Sequence, residues 1–92
     1  MKVEQQEDAT SGEFFIRLND KKLAKMTYSK AGEDRIIVDH TEVGDELRGQ
    51  GAGYKMVEVA VNYAREKGIS IVPLCPFARS VFDKRPEFGD VL

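Results

Sequence analysis

The sequence predicts an α/β (α+β) fold in which an antiparallel meander of strands joins a parallel strand–helix–strand unit, and three observations carry that prediction. Apolar residues alternate with polar ones through much of the first half of the chain, from Phe14 to Val43. After Gly51 the period changes to that of an amphipathic helix. A short apolar run from Ile69 to Leu74, ended by Pro73 and Pro76, then supplies one further strand. At 92 residues the chain is expected to form one domain, 1–92, near the lower end of what builds its own core.

Taken in order, Val3 to Gln5 reads as a short edge strand and the polar stretch Gln6 to Gly12 as a loop. Phe14, Ile16 and Leu18 alternate with Phe15 and Arg17, Asn19-Asp20-Lys21-Lys22 reads as a turn, and Ala24, Met26 and Tyr28 alternate again, which makes a hairpin. Lys30 to Asp34 turns the chain a second time into Arg35 to Val43, the strongest strand by β-branched content. Val57, Ala60, Val61 and Ala64 follow the i, i+3, i+4, i+7 spacing of a helix, with Lys55, Glu58, Asn62, Arg65 and Glu66 on the opposite side and Gly68 as its C′ residue. Phe77 to Phe82 makes a further helical turn or two before Pro86. A right-handed crossover places Ile69 to Leu74 parallel to Arg35 to Val43, and the splayed ends of those strands make a V-shaped cleft.

Composition narrows the function classes. With 41% apolar and 33% charged residues and a net charge of −2, the chain reads as an ordinary soluble globular protein, with no electrostatic case for nucleic acid or an anionic membrane. No apolar run approaches a membrane span, and Met1-Lys2 is followed by glutamate and glutamine rather than a signal-peptide core, so a cytoplasmic location is expected. A single cysteine suits a reducing compartment, and one cysteine with one histidine is too few for a zinc site, so no metal is expected. Phe14, Phe15, Tyr28, Tyr63, Phe77 and Phe82 read as core or cleft wall, because no basic stripe accompanies them.

Arg48-Gly49-Gln50-Gly51-Ala52-Gly53 is the most informative stretch. Three glycines at the entry to a helix let the main chain pass close to a ligand and aim several N–H groups at one anion, which is a pyrophosphate seat. A P-loop is excluded, since Gln50 and Gly51 stand where Lys and Ser/Thr would be needed after Gly44 and Gly49. The dinucleotide fingerprint fails as well, because its third glycine would fall at Tyr54 or Met56. A Gly-rich strand-to-helix turn with no ligand remains compatible with these residues.

Arg48-x-x-Gly51-x-Gly53 resembles the Gln/Arg-x-x-Gly-x-Gly/Ala signature of the Gcn5-related N-acetyltransferases. Together with Ile71-Val72-Pro73-Leu74-Cys75-Pro76-Phe77, it is similar to a compact single-domain subgroup of that superfamily, with a cysteine just after the strand that follows the phosphate helix. The resemblance implies acetyl-CoA as acyl donor and an amine as acceptor. It implies main-chain contacts from Thr41, Glu42 and Val43 to the pantetheine arm. Arg48, Gly49, Gln50, Gly51, Ala52, Gly53 and Tyr54 become the cofactor-binding segment at the pyrophosphate. Arg48, Lys55, Lys84 and Arg85 are either partners of the nucleotide end or solvated charges. The hairpin at Glu13 to Ser29 leaves no room for the helices that help hold the acceptor in larger members, so the acceptor site is expected to be open. Many relatives carry a tyrosine acid in the last helix; Ser80 and Phe82 stand in that region here.

Cys75 and His40 are the candidate catalytic pair. Each ends one of the two neighbouring strands, so both are expected to open on one cleft, where a thiol beside an imidazole can ionise near neutral pH and take an acetyl group. The same residues also fit a core cysteine, and a core histidine sharing strand parity with Ile36 and Val38. Two functions therefore follow: an acyl-CoA-dependent N-acetyltransferase, with direct transfer or a Cys75 intermediate, and a non-catalytic acyl-CoA-binding module.

Overall fold

A computed structural model describes residues Met1–Leu92. The strands are β1 (Glu4–Glu7), β2 (Ser11–Leu18), β3 (Lys21–Lys30), β4 (Arg35–Val43) and β5 (Ser70–Pro73); the helices are α1 (Ala52–Lys67) and α2 (Pro76–Lys84), with short 3-10 turns at Asp45–Leu47 and Pro86–Val91. The strands form one sheet in the order β1-β2-β3-β4-β5, antiparallel except for the parallel β4–β5 pair. This is the meander and the strand–helix–strand unit read from the alternation and the helical period.

Each element has a local cause. Asn19 and Asp20 take positive φ values of 51° and 65°, the left-handed pair that closes a two-residue hairpin between β2 and β3, so the turn is shorter than Asn19 to Lys22. Gly68 ends α1 at φ 68°, and Ile69 N–H reaches back to the Ala64 carbonyl at 3.0 Å. Pro76 opens α2, where its missing N–H costs nothing, and the helix runs on to Lys84, beyond the Phe82 boundary expected from sequence.

The stretch Gln6 to Gly12 is not a loop throughout. β1 extends through Glu7 and β2 begins at Ser11, leaving a tight turn in which the Asp8 carboxylate accepts from Thr10 N–H at 2.8 Å and Ser11 N–H at 2.9 Å. The edge-strand reading of Val3 to Gln5 is therefore correct in kind, but shifted to Glu4–Glu7.

All helices pack on one face of the sheet. Phe14, Ile16, Ala24, Met26, Tyr28, Ile36 and Val38 from the strands meet Met56, Val57, Ala60, Val61 and Ala64 of α1 and Ala78, Val81 and Phe82 of α2 in a single core. No helix covers the other face. There Phe15, of opposite parity to Phe14 and Ile16, is buried beneath the Lys22 ammonium and Arg17 guanidinium, 4.6 and 5.3 Å from its ring centroid.

One irregularity decides where the chemistry lies. β3 pairs Tyr28 with Val38 but Thr27 with His40, so Asp39 is an extra residue bulged into β4. Beyond it the parity reverses: Thr41 lies opposite the core residue Met26, whereas His40 lies opposite Thr27 on the helix-free face. The expectation that His40 shares a face with Ile36 and Val38 is thereby corrected, and its side chain is 59% exposed.

Candidate active site

β4 and β5 stay paired only from Arg35↔Ser70 to Val38↔Pro73, while β4 continues to Val43. At the point of separation the Val38 carbonyl accepts from both Leu74 N–H and Cys75 N–H, each at 3.0 Å, which pins the apex of the opening. Past that pin the chain turns into α2, and the edge of β4 from Asp39 to Val43 has no β5 partner. This opening matches the V-shaped cleft expected between the two strands. The free edge presents Thr41, Glu42 and Val43 to whatever enters it.

The glycine stretch faces that opening. Gly49 and Gly51 adopt φ values of +79° and +76°, a conformation that L side chains resist, and Gly51 is the N-cap of α1 without a side-chain cap. The first intrahelical bond runs from Lys55 N–H to the Gly51 carbonyl, so the N–H groups of Ala52, Gly53 and Tyr54 have no acceptor within the helix. They form the positive end of a 16-residue helix. A cleft of about 460 Å³ lies against it, lined by Val43, Leu47, Arg48, Gly49, Gly51, Ala52, Gly53, Tyr54 and Phe77. Gln50 points elsewhere, its amide donating to the Glu46 carbonyl at 2.9 Å.

Of the basic residues considered for the nucleotide end, Arg48 pairs with Asp45 at 3.2 Å and Lys55 with Glu58 at 3.1 Å. Arg85 stacks over the Tyr54 ring at 4.6 Å and pairs with Glu87 at 3.2 Å. Lys84 is exposed at the end of α2.

Cys75 and His40 are not brought together. Cys75 is 5% exposed, at the N-cap of α2, and its thiol donates to the Thr41 hydroxyl at 3.2 Å. The His40 ring instead meets Glu42 at 3.1 Å on the helix-free face. That hydrogen bond, with the nearby Lys25 ammonium second, holds the Glu42 carboxyl below its ordinary range. Asp39 stands beside His40 and accepts from Thr27 at 2.5 Å and Ser29 at 3.4 Å. The bulge therefore sends Thr41 to the thiol and His40 away from it. Thr41 was expected to contribute only its main chain; its side chain at the thiol has no sequence signal, because a bulge leaves no mark in composition.

At the far end of the sheet a separate network ties β1 down. Glu7 accepts from Tyr28 at 2.6 Å and Tyr63 at 3.1 Å and pairs with Lys30 at 3.3 Å, while Gln5 donates to the Tyr28 oxygen at 2.8 Å. The Tyr28 bond is the main cause that lowers the Glu7 pKa, and burial followed by the Glu7 bond raises that of Tyr28. No group of His, Cys, Asp and Glu side chains stands together in a geometry to hold a metal ion, and no helix is long and apolar enough to cross a membrane.

A mixed sheet opened between a parallel pair of strands, with an uncapped, glycine-entered helix facing the opening, is the architecture of the N-acetyltransferase fold. The chain belongs to the GCN5-related N-acetyltransferase family, whose family model matches residues 13–91. It is similar to a GCN5-like protein from Staphylococcus aureus solved by NMR, at 35% identity over 98% of this chain and 85% of that one, with a TM-score of 0.76. The fold is shared with the ribosomal-protein-alanine N-acetyltransferase of Brucella melitensis biovar Abortus 2308, at 20% identity, a TM-score of 0.69 and coverage of 84% of this chain and 62% of that one. Tetrahymena GCN5 shares it as well, at 16% identity and a TM-score of 0.68, with 85% of this chain covering 51% of that one. No curated protein matches the sequence.

Proposed function

We propose that this protein binds acetyl-CoA in the opening between β4 and β5 and passes the acetyl group to an amine. The observation that carries the reading is that the free β4 edge ends at Val43 in the same apolar cleft that Ala52, Gly53 and Tyr54 line, with their N–H groups unpaired within the helix. Pyrophosphate sits at the helix end and the pantetheine arm adds main-chain bonds to β4, as a strand would. The thioester then lies at the apex beside Cys75. The helix-free face leaves the acceptor side open to amines of varied size.

Cys75 is the proposed acetyl carrier. Its proton leaves, helped by the N-terminus of α2 and by the Thr41 hydroxyl rotating to donate to the thiolate. Sγ attacks the thioester carbonyl, the bond to the CoA sulfur breaks, and CoA departs as the thiol with that proton. An amine next attacks the acetyl-cysteine, the new C–N bond replaces the C–Sγ bond, and a proton from nitrogen restores the thiol. His40, paired with Glu42, is placed in this scheme on the acceptor face, as base toward the amine. Because His40 and Cys75 lie on opposite faces of β4, direct transfer from acetyl-CoA to an amine held by His40 is the second reading.

Calorimetry with CoA and acetyl-CoA tests the binding claim. Gly51→Glu forces a side chain into the left-handed region and sets a like charge beside the pyrophosphate, so affinity should fall about a hundredfold. Absence of binding by the parent protein at millimolar ligand would overturn the reading.

A further inference from the structure

The glycines of the phosphate turn have different causes. A Cβ at Gly49 or Gly51 would meet nothing within 4 Å, and their positive φ alone accounts for them. Gly53 is different. It lies inside α1 without a positive φ, where glycine is a poor helix former, and a Cβ there would stand 2.6 Å from Cζ and 2.7 Å from Cε2 of Phe77. The side chain at 53 is missing because the ring of Phe77 takes its place.

Phe77 is 40% exposed, in contrast to Phe82 and Phe88, which are buried and pack edge to face at 6.3 Å. Its ring forms no aromatic pair with another side chain, and it lines the cleft together with Val43, Leu47 and Tyr54. Two residues from Cys75 in the chain, Phe77 brings its ring against Gly53 of the phosphate turn.

We infer that Gly53 and Phe77 act as a seat and a wall that set the width of the pantetheine channel, which makes Phe77 a specificity-determining contact for the thioester arm of the ligand. The inference rests on the acyl-CoA reading above. It assigns the missing side chain at Gly53 to the ring, while the Gly53 N–H stays with the phosphates. Adding a methyl group at 53 pushes the free end of an exposed ring, which can swing, so the fold survives while the wall moves.

The test is a double-mutant cycle read by calorimetry with CoA and with its nucleotide half, 3′-phospho-ADP, which carries the pyrophosphate but no pantetheine. Gly53→Ala and Phe77→Ala should each weaken CoA about tenfold and leave the nucleotide half unchanged. The Gly53→Ala effect should vanish in the Phe77→Ala background, because no ring remains to displace. A Gly53→Ala loss that persists without the ring, or that strikes the nucleotide half equally, overturns the inference and assigns the missing side chain at Gly53 to the phosphates. Binding of neither ligand by the parent protein removes the acyl-CoA reading itself. Binding of both ligands, unaffected by either substitution, removes only the wall. Thermal unfolding of each variant within a few degrees of the parent confirms that the fold is intact.

Discussion

The two faces of β4 beyond Asp39 differ in everything that matters for chemistry. Thr41 and Val43 turn toward the helices, one meeting the Cys75 thiol and the other the glycine-lined cleft. Asp39 and His40 turn to the bare face, among Thr27, Ser29 and Glu42. A single extra residue produces the division. Were Asp39 paired in the ladder as an ordinary strand residue, parity would carry His40 to the thiol and Thr41 to solvent, the arrangement simple alternation predicts. The contrast teaches that a bulge, by taking one residue out of the ladder, decides which side chain of a strand meets a thiol.

Shifting the register just beyond that residue breaks the comparison outright and should have the largest effect. Inserting one alanine between His40 and Thr41 shifts every later residue of β4 by one position, drives Thr41 and Val43 outward and brings Glu42 into the apolar layer. It should lower the unfolding free energy in urea by roughly 2–4 kcal/mol and abolish CoA binding. Retention of parent-like stability and affinity would show that the register beyond Asp39 is incidental.

A smaller, sharper test reads the thiol itself. Thr41→Val removes the thiol's hydrogen-bond partner, so iodoacetamide alkylation of Cys75 should slow about tenfold at neutral pH, and Thr41→Ser should restore it. His40→Ala should leave the alkylation rate unchanged. The opposite pattern would place the imidazole, not the hydroxyl, at the sulfur.

The smallest effect lies at the end of the sheet away from the opening. Glu7 titrates below its ordinary 4.5 because the folded state stabilises its carboxylate, chiefly through Tyr28. Its contribution is therefore complete above that ordinary value and is lost as the pH falls through the lowered one. Glu7→Gln should destabilise modestly at neutral pH and flatten the acid limb of a stability profile. The opening between β4 and β5 should keep its affinity for CoA at neutral pH. A loss of CoA binding in Glu7→Gln would couple the two ends.

Much of this fold is legible in the chain, and the rest is hidden for physical reasons. Phe14 to Val43 and Val57 to Ala64 announce themselves because each buries one face, and burial imposes a period. β1 is nearly silent: Glu4 to Glu7 joins the sheet through its backbone, at an edge where charge is favoured over apolar side chains. The phosphate turn is readable from Gly49 and Gly51, since positive φ selects glycine locally. Gly53 carries the same letter for a nonlocal reason, a ring from the start of α2, and no spacing rule distinguishes the cases. The pairing of Cys75 with His40 failed on the same ground. It assumed a register that the bulge at Asp39, opposite the Thr27–Tyr28 step, changes.

Intact-protein and peptide mass spectrometry after brief mixing with acetyl-CoA addresses the central claim most directly, that the thioester reaches the apex of the opening and Cys75 takes its acetyl group. Under native conditions the parent protein should carry one CoA, and after denaturation a single acetyl group on the peptide containing Cys75. Cys75→Ser should keep the CoA complex and lose both the adduct and most amine acetylation. A parent protein that binds CoA without any adduct, together with undiminished amine acetylation by Cys75→Ala, would contradict the carrier and leave direct transfer as the mechanism.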